Sequence, residues 1–359
     1  MRVLVTGATG YVGSRLIPAL LGDGHDVVAA LREKGDVDDF AWADQVSTTL
    51  FDIEKPELVR SAVIDVDAVF YLVHSMASGD FVTKDREAAV RVAEAAEEAG
   101  VGRIVYLSGL VPDGDDLSDH LRSRLQVEQV FLDSEVPAVV LRAAMVIGAG
   151  STSFELLRRL TERVPVTPVP RWMCREVQPI AVQDVVHLLA CSLRGAARNR
   201  HYDVGGDERV TYPQLLGLFA RTAGLRRPRF VVPFVPTAAV GVVVSWITGM
   251  PRGTVSALVE SLSHDMVCTD DDVRADIAGT DYAFLPLEEA LRRSLSPAPE
   301  GTERDADPQA PAPTDPPWSG GATVVTDKGI EQRPRSLVAS LLLGLRTRRA
   351  RRRTPDRLV

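Results

Sequence analysis

The stretch LSDHLRSRLQVEQ, Leu117 to Gln129, sets His120 and Arg124 four residues apart in a run whose apolar positions, Leu121, Leu125, Val127, Val130 and Phe131, recur at helical spacing. Both fall on one neighbouring, more polar stripe, a turn apart. Two cations stacked in this way repel by a few tenths of a kcal/mol unless something else holds them. A histidine titrates near neutrality and can act as acid or base. An arginine keeps its charge and can grip hydroxyls or anions. The pair is therefore read as a site, with a solvated basic helix face as its bland alternative.

A second cluster stands at the start of the chain. In VTGATGYVG, Gly7, Gly10 and Gly13 follow a strand and open a helix. The first permits a tight turn, the second lets backbone approach a pyrophosphate, and the third allows close helix–strand packing, so that a dinucleotide phosphate rests on the helix N-terminus. Thr9, Tyr11 and Val12 lie in the same loop and first turn and join the expected cofactor-binding set. The second strand ends in AALREK, placing Arg32 where a 2′-phosphate would be met, which favours NADP(H); Glu33 beside it keeps NAD(H) open. Asp52 in LFDIE ends the third strand, where it either meets the adenine or caps the next helix. Leu72, Val73 and His74 at the end of the fourth strand complete the set, and Arg142, ending the sixth, is a candidate for substrate contact.

These residues need a frame. From the N-terminus, short β-rich runs alternate with helical patterns: RVLVTG, then 11–21; DVVAALR; QVSTTLF; DAVFYLV, then 81–99; RIVYLSG, then 117–132; AVVLRAA. The alternation predicts an α/β fold with a doubly wound parallel sheet, its strands continuous apolar runs because helices cover both faces. Residues 1–150 are expected to form the dinucleotide-binding Rossmann domain. Residues 151–295 read as a smaller, mainly helical substrate lobe interleaved with the last strands. Within it Asp184 sits where a first-turn acid is favoured.

The motifs TGATGYVG, YLSG and QPIAVQDVV resemble those of atypical short-chain dehydrogenases/reductases, close to the NmrA-like and extended members. That family carries its chemistry on a Tyr-x-x-x-Lys pair assisted by a serine. Here the resemblance implies Ser108 as the serine and His120 and Arg124 in place of the tyrosine and lysine, a replacement typical of one bacterial subgroup, which FYLVHSM, DFVTKDREAA and FELLRRLTERVPV also resemble. It implies an NAD(P)H-dependent oxidoreductase acting on a hydrophobic carbonyl or quinone-like small molecule, with Ser108, His120 and Arg124 catalytic and Arg124 also holding the cofactor ribose. The alternative it leaves is a non-catalytic NADP(H) sensor or an assembly protein. Subgroup members commonly continue into a START-like domain, whose opening strand the segment from Thr314 resembles.

Composition bounds what else the chain can do. With 359 residues, 45% hydrophobic and 25% charged, it can bury a substantial core. Cys174, Cys191 and Cys268 have neither disulfide nor zinc spacing, so no metal is expected. Without the pattern of a secretory signal at the N-terminus, a cytoplasmic location is expected. Residues 333–359 carry nine arginines against one acid; with −8 overall and +8 there, the rest stands near −16, which argues against specific nucleic-acid binding. The apolar stretch 230–250 is broken by Pro233 and Pro236 and reads as a core or lid segment; peripheral membrane contact through it or through the arginine-rich end is the remaining option. Residues 296–359 read as a disordered linker and tail, rich in proline, acid and small residues up to 317.

Overall fold

The computed structural model of the chain describes residues 1–33, 35–73, 81–112, 117–233, 235–279, 281–297 and 307–332. Six strands, β1 (Arg2–Val5), β2 (Asp26–Leu31), β3 (Ser47–Leu50), β4 (Ala68–Tyr71), β5 (Arg103–Gly109) and β6 (Ala138–Ala143), form a parallel sheet. A seventh, Arg200–Val204, comes from the second half of the chain and pairs in parallel with β6. The spatial order is Arg200–Val204, β6, β5, β4, β1, β2, β3, so strand order reverses between β1 and β4. Ligands in such sheets bind in the crevice at the carboxyl ends beside that reversal.

Except at the edge strand β3, where Ser47, Thr48 and Leu50 are exposed because no strand lies beyond it among the described residues, the apolar runs that read as strands are buried on both sides. Val3, Val5, Val27, Phe70 and Val105 face one core, beneath α1 (Tyr11–Gly22) and α6 (Val182–Cys191). Leu4, Val28, Val69, Ile104 and Tyr106 face the other, beneath α2 (Pro56–Ala62), α3 (Phe81–Glu98) and α4 (Asp119–Leu132). Period-two alternation of side chains puts neighbours in sequence into opposite cores, which is why these strands show no polar face. Asp184 lies in the first turn of α6, as its position suggested, but it is buried and accepts hydrogen bonds from the Tyr282 hydroxyl at 2.7 Å and the Leu285 amide at 3.0 Å.

The remaining helices are α5 (Thr152–Arg163), α7 (Tyr212–Thr222), α8 (Thr237–Thr248), α9 (Arg252–Ser261) and α10 (Leu287–Ser294). They gather around a third apolar cluster containing Leu121, Phe154, Leu157, Phe219 and Leu291, with α8 and α9 adding a small fourth. The stretch 230–250 therefore divides into the strand Arg229–Val232 and α8. Among the described residues no helix is long and apolar enough to cross a membrane.

Two expectations need correction. Residues 307–332, expected within a disordered tail, pack on the folded body. Gln309 is buried and donates to the Ile147 carbonyl at 2.7 Å, Asp315 pairs with Arg15, and the Thr323 amide donates to Glu162 at 3.0 Å. The composition argument failed because this segment gains order from specific polar contacts, which weigh little in a hydrophobicity tally. Second, Arg142 is not open to a substrate: its guanidinium meets buried Glu128 through two nitrogens. Residues 298–306 and 333–359 lie outside the described residues.

Candidate functional site

The glycine loop is built as its spacing required. Gly7 adopts a left-handed φ of +68°, and a Cβ there would stand 3.1 Å from the Leu72 carbonyl oxygen. A Cβ on Gly13 would run into the Gly7 carbonyl, so only glycine lets α1 pack this closely on the loop. Gly10 caps α1 without a side-chain acceptor, and the first turn holds no acidic residue. The helix N-terminus thus keeps its affinity for an external anion. Thr9 is exposed at this end and Val12 half-buried, whereas Tyr11 turns its ring inward under the Arg15 guanidinium, 4.2 Å away. The Thr6 hydroxyl accepts from the Leu72 amide at 3.1 Å and donates to the Phe70 carbonyl at 3.0 Å, clamping the β1 and β4 ends that flank the crevice. Leu72 and Val73 are half-buried there; His74 lies outside the described residues.

At the end of β2, Arg32 is exposed, with no carboxylate at ion-pair distance among the described residues. Asp52 accepts from the Glu54 amide at 3.0 Å and pairs with Lys55 at 3.1 Å; these contacts hold its carboxyl below the usual range, with a smaller pull from Arg32. It does not cap the helix that follows, whose N-cap is Lys55; it closes the turn before that helix, and only its proximity to Arg32 ties it to the crevice.

Helix α4 positions the second half of the site through contacts spread along its length. Ser118 caps it, its hydroxyl accepting from the Leu121 amide at 3.3 Å. The helix therefore starts at Asp119, two residues past the start expected at residue 117. The Ser123 hydroxyl donates to buried Asp85 of α3 at 2.8 Å. Arg124 donates to the Leu107 carbonyl of β5 at 3.1 Å. Glu128 receives Arg142 of β6, and Phe131 packs edge-on against Tyr71 of β4 and Tyr106 of β5, ring centroids 5.0 and 5.6 Å apart. Asp85, Ser123 and Glu128 escaped the sequence reading because a buried polar pair has no periodic signature; only Ser123, polar at an apolar-stripe position, hinted at one.

With α4 so fixed, His120 and Arg124 both turn toward the carboxyl end of β5. His120 lines an apolar cavity of about 130 Å³ with Gly109, Met145, Leu157, Leu160 and Leu262. Burial, and then the neighbouring Arg124 charge, push its imidazole down to about 4, so it is neutral at neutral pH. Ser108, one residue before Gly109, is buried and its hydroxyl oxygen has no hydrogen-bond partner among the described residues. An orphaned buried hydroxyl costs about 1–3 kcal/mol, which a ligand can recover. The cavity walls from α5, α7 and α9 were not identified from sequence; their leucines read as ordinary core. Among the described residues no cluster of side chains could hold a metal ion, and the three cysteines are free.

The uncapped α1 terminus, the glycine cradle and the orphaned serine fit a nicotinamide dinucleotide. Residues 7–172 match the NAD(P)H-binding family. An uncharacterised protein of Mycobacterium tuberculosis is 31% identical over 193 residues, 54% of this chain, which spans only 20% of that relative's length. The ceramide reductase of Caulobacter vibrioides is 29% identical over 197 residues, covering 54% of this chain and 61% of the relative. Among solved structures, the triphenylmethane reductase of Citrobacter sp. complexed with NADP(H) shares the fold with a TM-score of 0.64 and 21% identity, over 82% of this chain and all of the other. Residues 7–172 thus belong to the NAD(P)H-binding family, within a chain that shares its fold with the solved triphenylmethane reductase.

Proposed function

We propose that the protein is an NADPH-dependent reductase of a hydrophobic carbonyl or quinone-like compound. The observation that carries this reading is that His120, with Tyr212 one of the two titratable side chains lining the apolar cavity among the described residues, turns toward the carboxyl end of β5, the strand that carries Ser108. Gly7, Gly10 and Gly13 would hold the pyrophosphate, Arg32 the 2′-phosphate and Arg124 the ribose. The bound cofactor supplies a hydride; everything else falls to the chain.

The cavity excludes water from an apolar substrate, and the Ser108 hydroxyl orients its oxygen. His120, once protonated, gives that oxygen the proton it needs; burial depresses its basicity, so the imidazole is neutral near pH 7 and takes up that proton as pH falls. Removal of an apolar carbonyl compound from water into this pocket also supplies binding energy in proportion to the area covered. The test is loss of NADPH absorbance with a panel of aldehydes, ketones and quinones, compared between the parent and His120→Ala. Tight NADPH binding without turnover of any panel member would favour the redox-sensor reading instead.

A further inference from the structure

Helix α8 carries no charged residue and presents one buried face and one exposed face. Gly241, Val244, Ser245 and Thr248 are buried, Val244 within a cluster that includes Val255 and Val259 of α9 and Leu156 and Leu160 of α5. The opposite stripe, Ala239, Val242, Val243 and Trp246 at three- and four-residue spacing, is exposed, and Trp246 is 85% exposed. A helix apolar all round is normally covered on all sides. In the segment just before it, Phe230 and Val231 are also exposed, and they share a shallow depression with Arg221 and Arg229.

The segment that carries this face is rich in arginine. Residues 210–259 contain five arginines and no acid, in a chain of net charge −8; Arg221, Arg226, Arg229 and Arg252 are exposed, Arg227 is buried against the Thr161 and Glu162 carbonyls, and exposed Glu260 follows near the end of α9. Exposed Arg163 donates to the Ile247 carbonyl at 2.6 Å, placing a cation at the C-terminal end of the exposed stripe, and exposed Arg252 opens α9 just beyond it. An apolar stripe ending in an exposed tryptophan and flanked by arginines matches a bilayer surface with anionic headgroups.

We infer that the exposed face of α8 docks the protein on an anionic membrane surface. Leu156 and Leu160 touch both the α8–α9 cluster and the His120 cavity. The docked face therefore lies one helix away from the pocket, and a substrate dissolved in the bilayer would have a short apolar route to it. That route rests on the proposed reductase reading; the docking itself does not.

The test is co-flotation of the full chain with vesicles of phosphatidylcholine and phosphatidylglycerol, against phosphatidylcholine alone. Binding to the mixed vesicles is expected, with a blue shift of tryptophan emission as Trp246 leaves water. The variant Val242→Ser/Val243→Ser/Trp246→Ser should bind about tenfold more weakly or worse and lose the shift. Arg226→Gln/Arg252→Gln should lose the preference for the anionic vesicles. Unchanged melting temperature and NADPH affinity would show that both variants fold. The inference is overturned if the parent ignores both vesicles, if the serine variant floats as the parent does, leaving binding to the arginine-rich 333–359 segment, or if the parent is a dimer in solution that the serine variant dissociates. No arm uses turnover, so failure to dock is distinct from failure to catalyse.

Discussion

Arg15 and Asp315 stand 300 residues apart in the chain and 2.7 Å apart in space, their side chains only 6% and 5% exposed. The same guanidinium donates to the carbonyls of Ala149 and Pro308, both at 2.9 Å, and stacks over Tyr11. One cation thus joins the helix that opens on the cofactor loop, the turn before α5 and the returning segment. Burial raises the Asp315 carboxyl more than Arg15 lowers it, so the pair is costly to bury and its weight lies in what its loss would expose.

Asp315→Ala should therefore destabilise the protein by about 3 kcal/mol, leaving a buried arginine without its counter-charge. A fall in melting temperature of roughly 5 °C or more is expected by calorimetry. Removal of residues 307–332 should cost more, since Gln309 and the partners of Glu162 go with them. The double variant Arg15→Met/Asp315→Leu, which removes both charges, should recover much of the loss; a single variant as stable as the parent would show that the segment does not hold the body together.

Cofactor choice should follow Arg32. Its exposed guanidinium at the end of β2 has no carboxylate at ion-pair distance among the described residues, so a charge-assisted contact to a 2′-phosphate is worth about 1.5–3 kcal/mol. Titration calorimetry on Arg32→Ala should show NADPH affinity falling about tenfold to a hundredfold while NADH affinity barely moves. Equal affinities in the parent would sink the preference.

The parts of this molecule that repeat were legible in its sequence, and the parts that meet only once were not. Val3 to Val5, Val27 to Leu31 and Ile104 to Tyr106 announce buried strands because every residue is apolar, and Gly7, Gly10 and Gly13 announce their turn by spacing. The pairing of Arg142 with Glu128 gave no such sign: one lies on a strand and one on a helix, and nothing local links them. The same holds for Asp315, whose surroundings read as linker until Arg15 is seen beside it. His120 and Arg124 stand between these cases, since helical spacing shows that they share a face but not which way that face turns.

The depressed basicity of His120 has a consequence for stability. The imidazole falls from 6.5 to about 4 on folding, so between those values the unfolded chain binds the extra proton and the folded protein does not. Stability is full above pH 6.5, declines as pH falls toward 4, and loses nothing further from this group below that. The total is at most about 3 kcal/mol. Urea unfolding at pH 7 and pH 5 should show a loss of about 2 kcal/mol from this source in the parent that His120→Gln largely abolishes; equal slopes would place the histidine in water.

The decisive prediction concerns His120 and Arg124 together. Their side chains turn toward the carboxyl end of β5, where Arg124 already donates to Leu107 and His120 closes an apolar cavity. If His120 carries the proton for the substrate oxygen, His120→Ala should lower kcat by about 10² to 10⁴ while leaving NADPH affinity nearly intact. Arg124→Ala should weaken NADPH binding as well, since it removes a ribose contact, and should let the imidazole of His120 rise by removing a like charge. In the reducing direction the parent's rate should climb as pH drops from 7 toward 5, because the protonated imidazole becomes more abundant, and this rise should vanish in His120→Ala. A flat profile in the parent, or an alanine variant as active as the parent, would assign the pair to positioning α4 rather than to chemistry. Histidine chemical shifts followed by NMR through the same pH range separate these outcomes, since they report the protonation of His120 without requiring turnover.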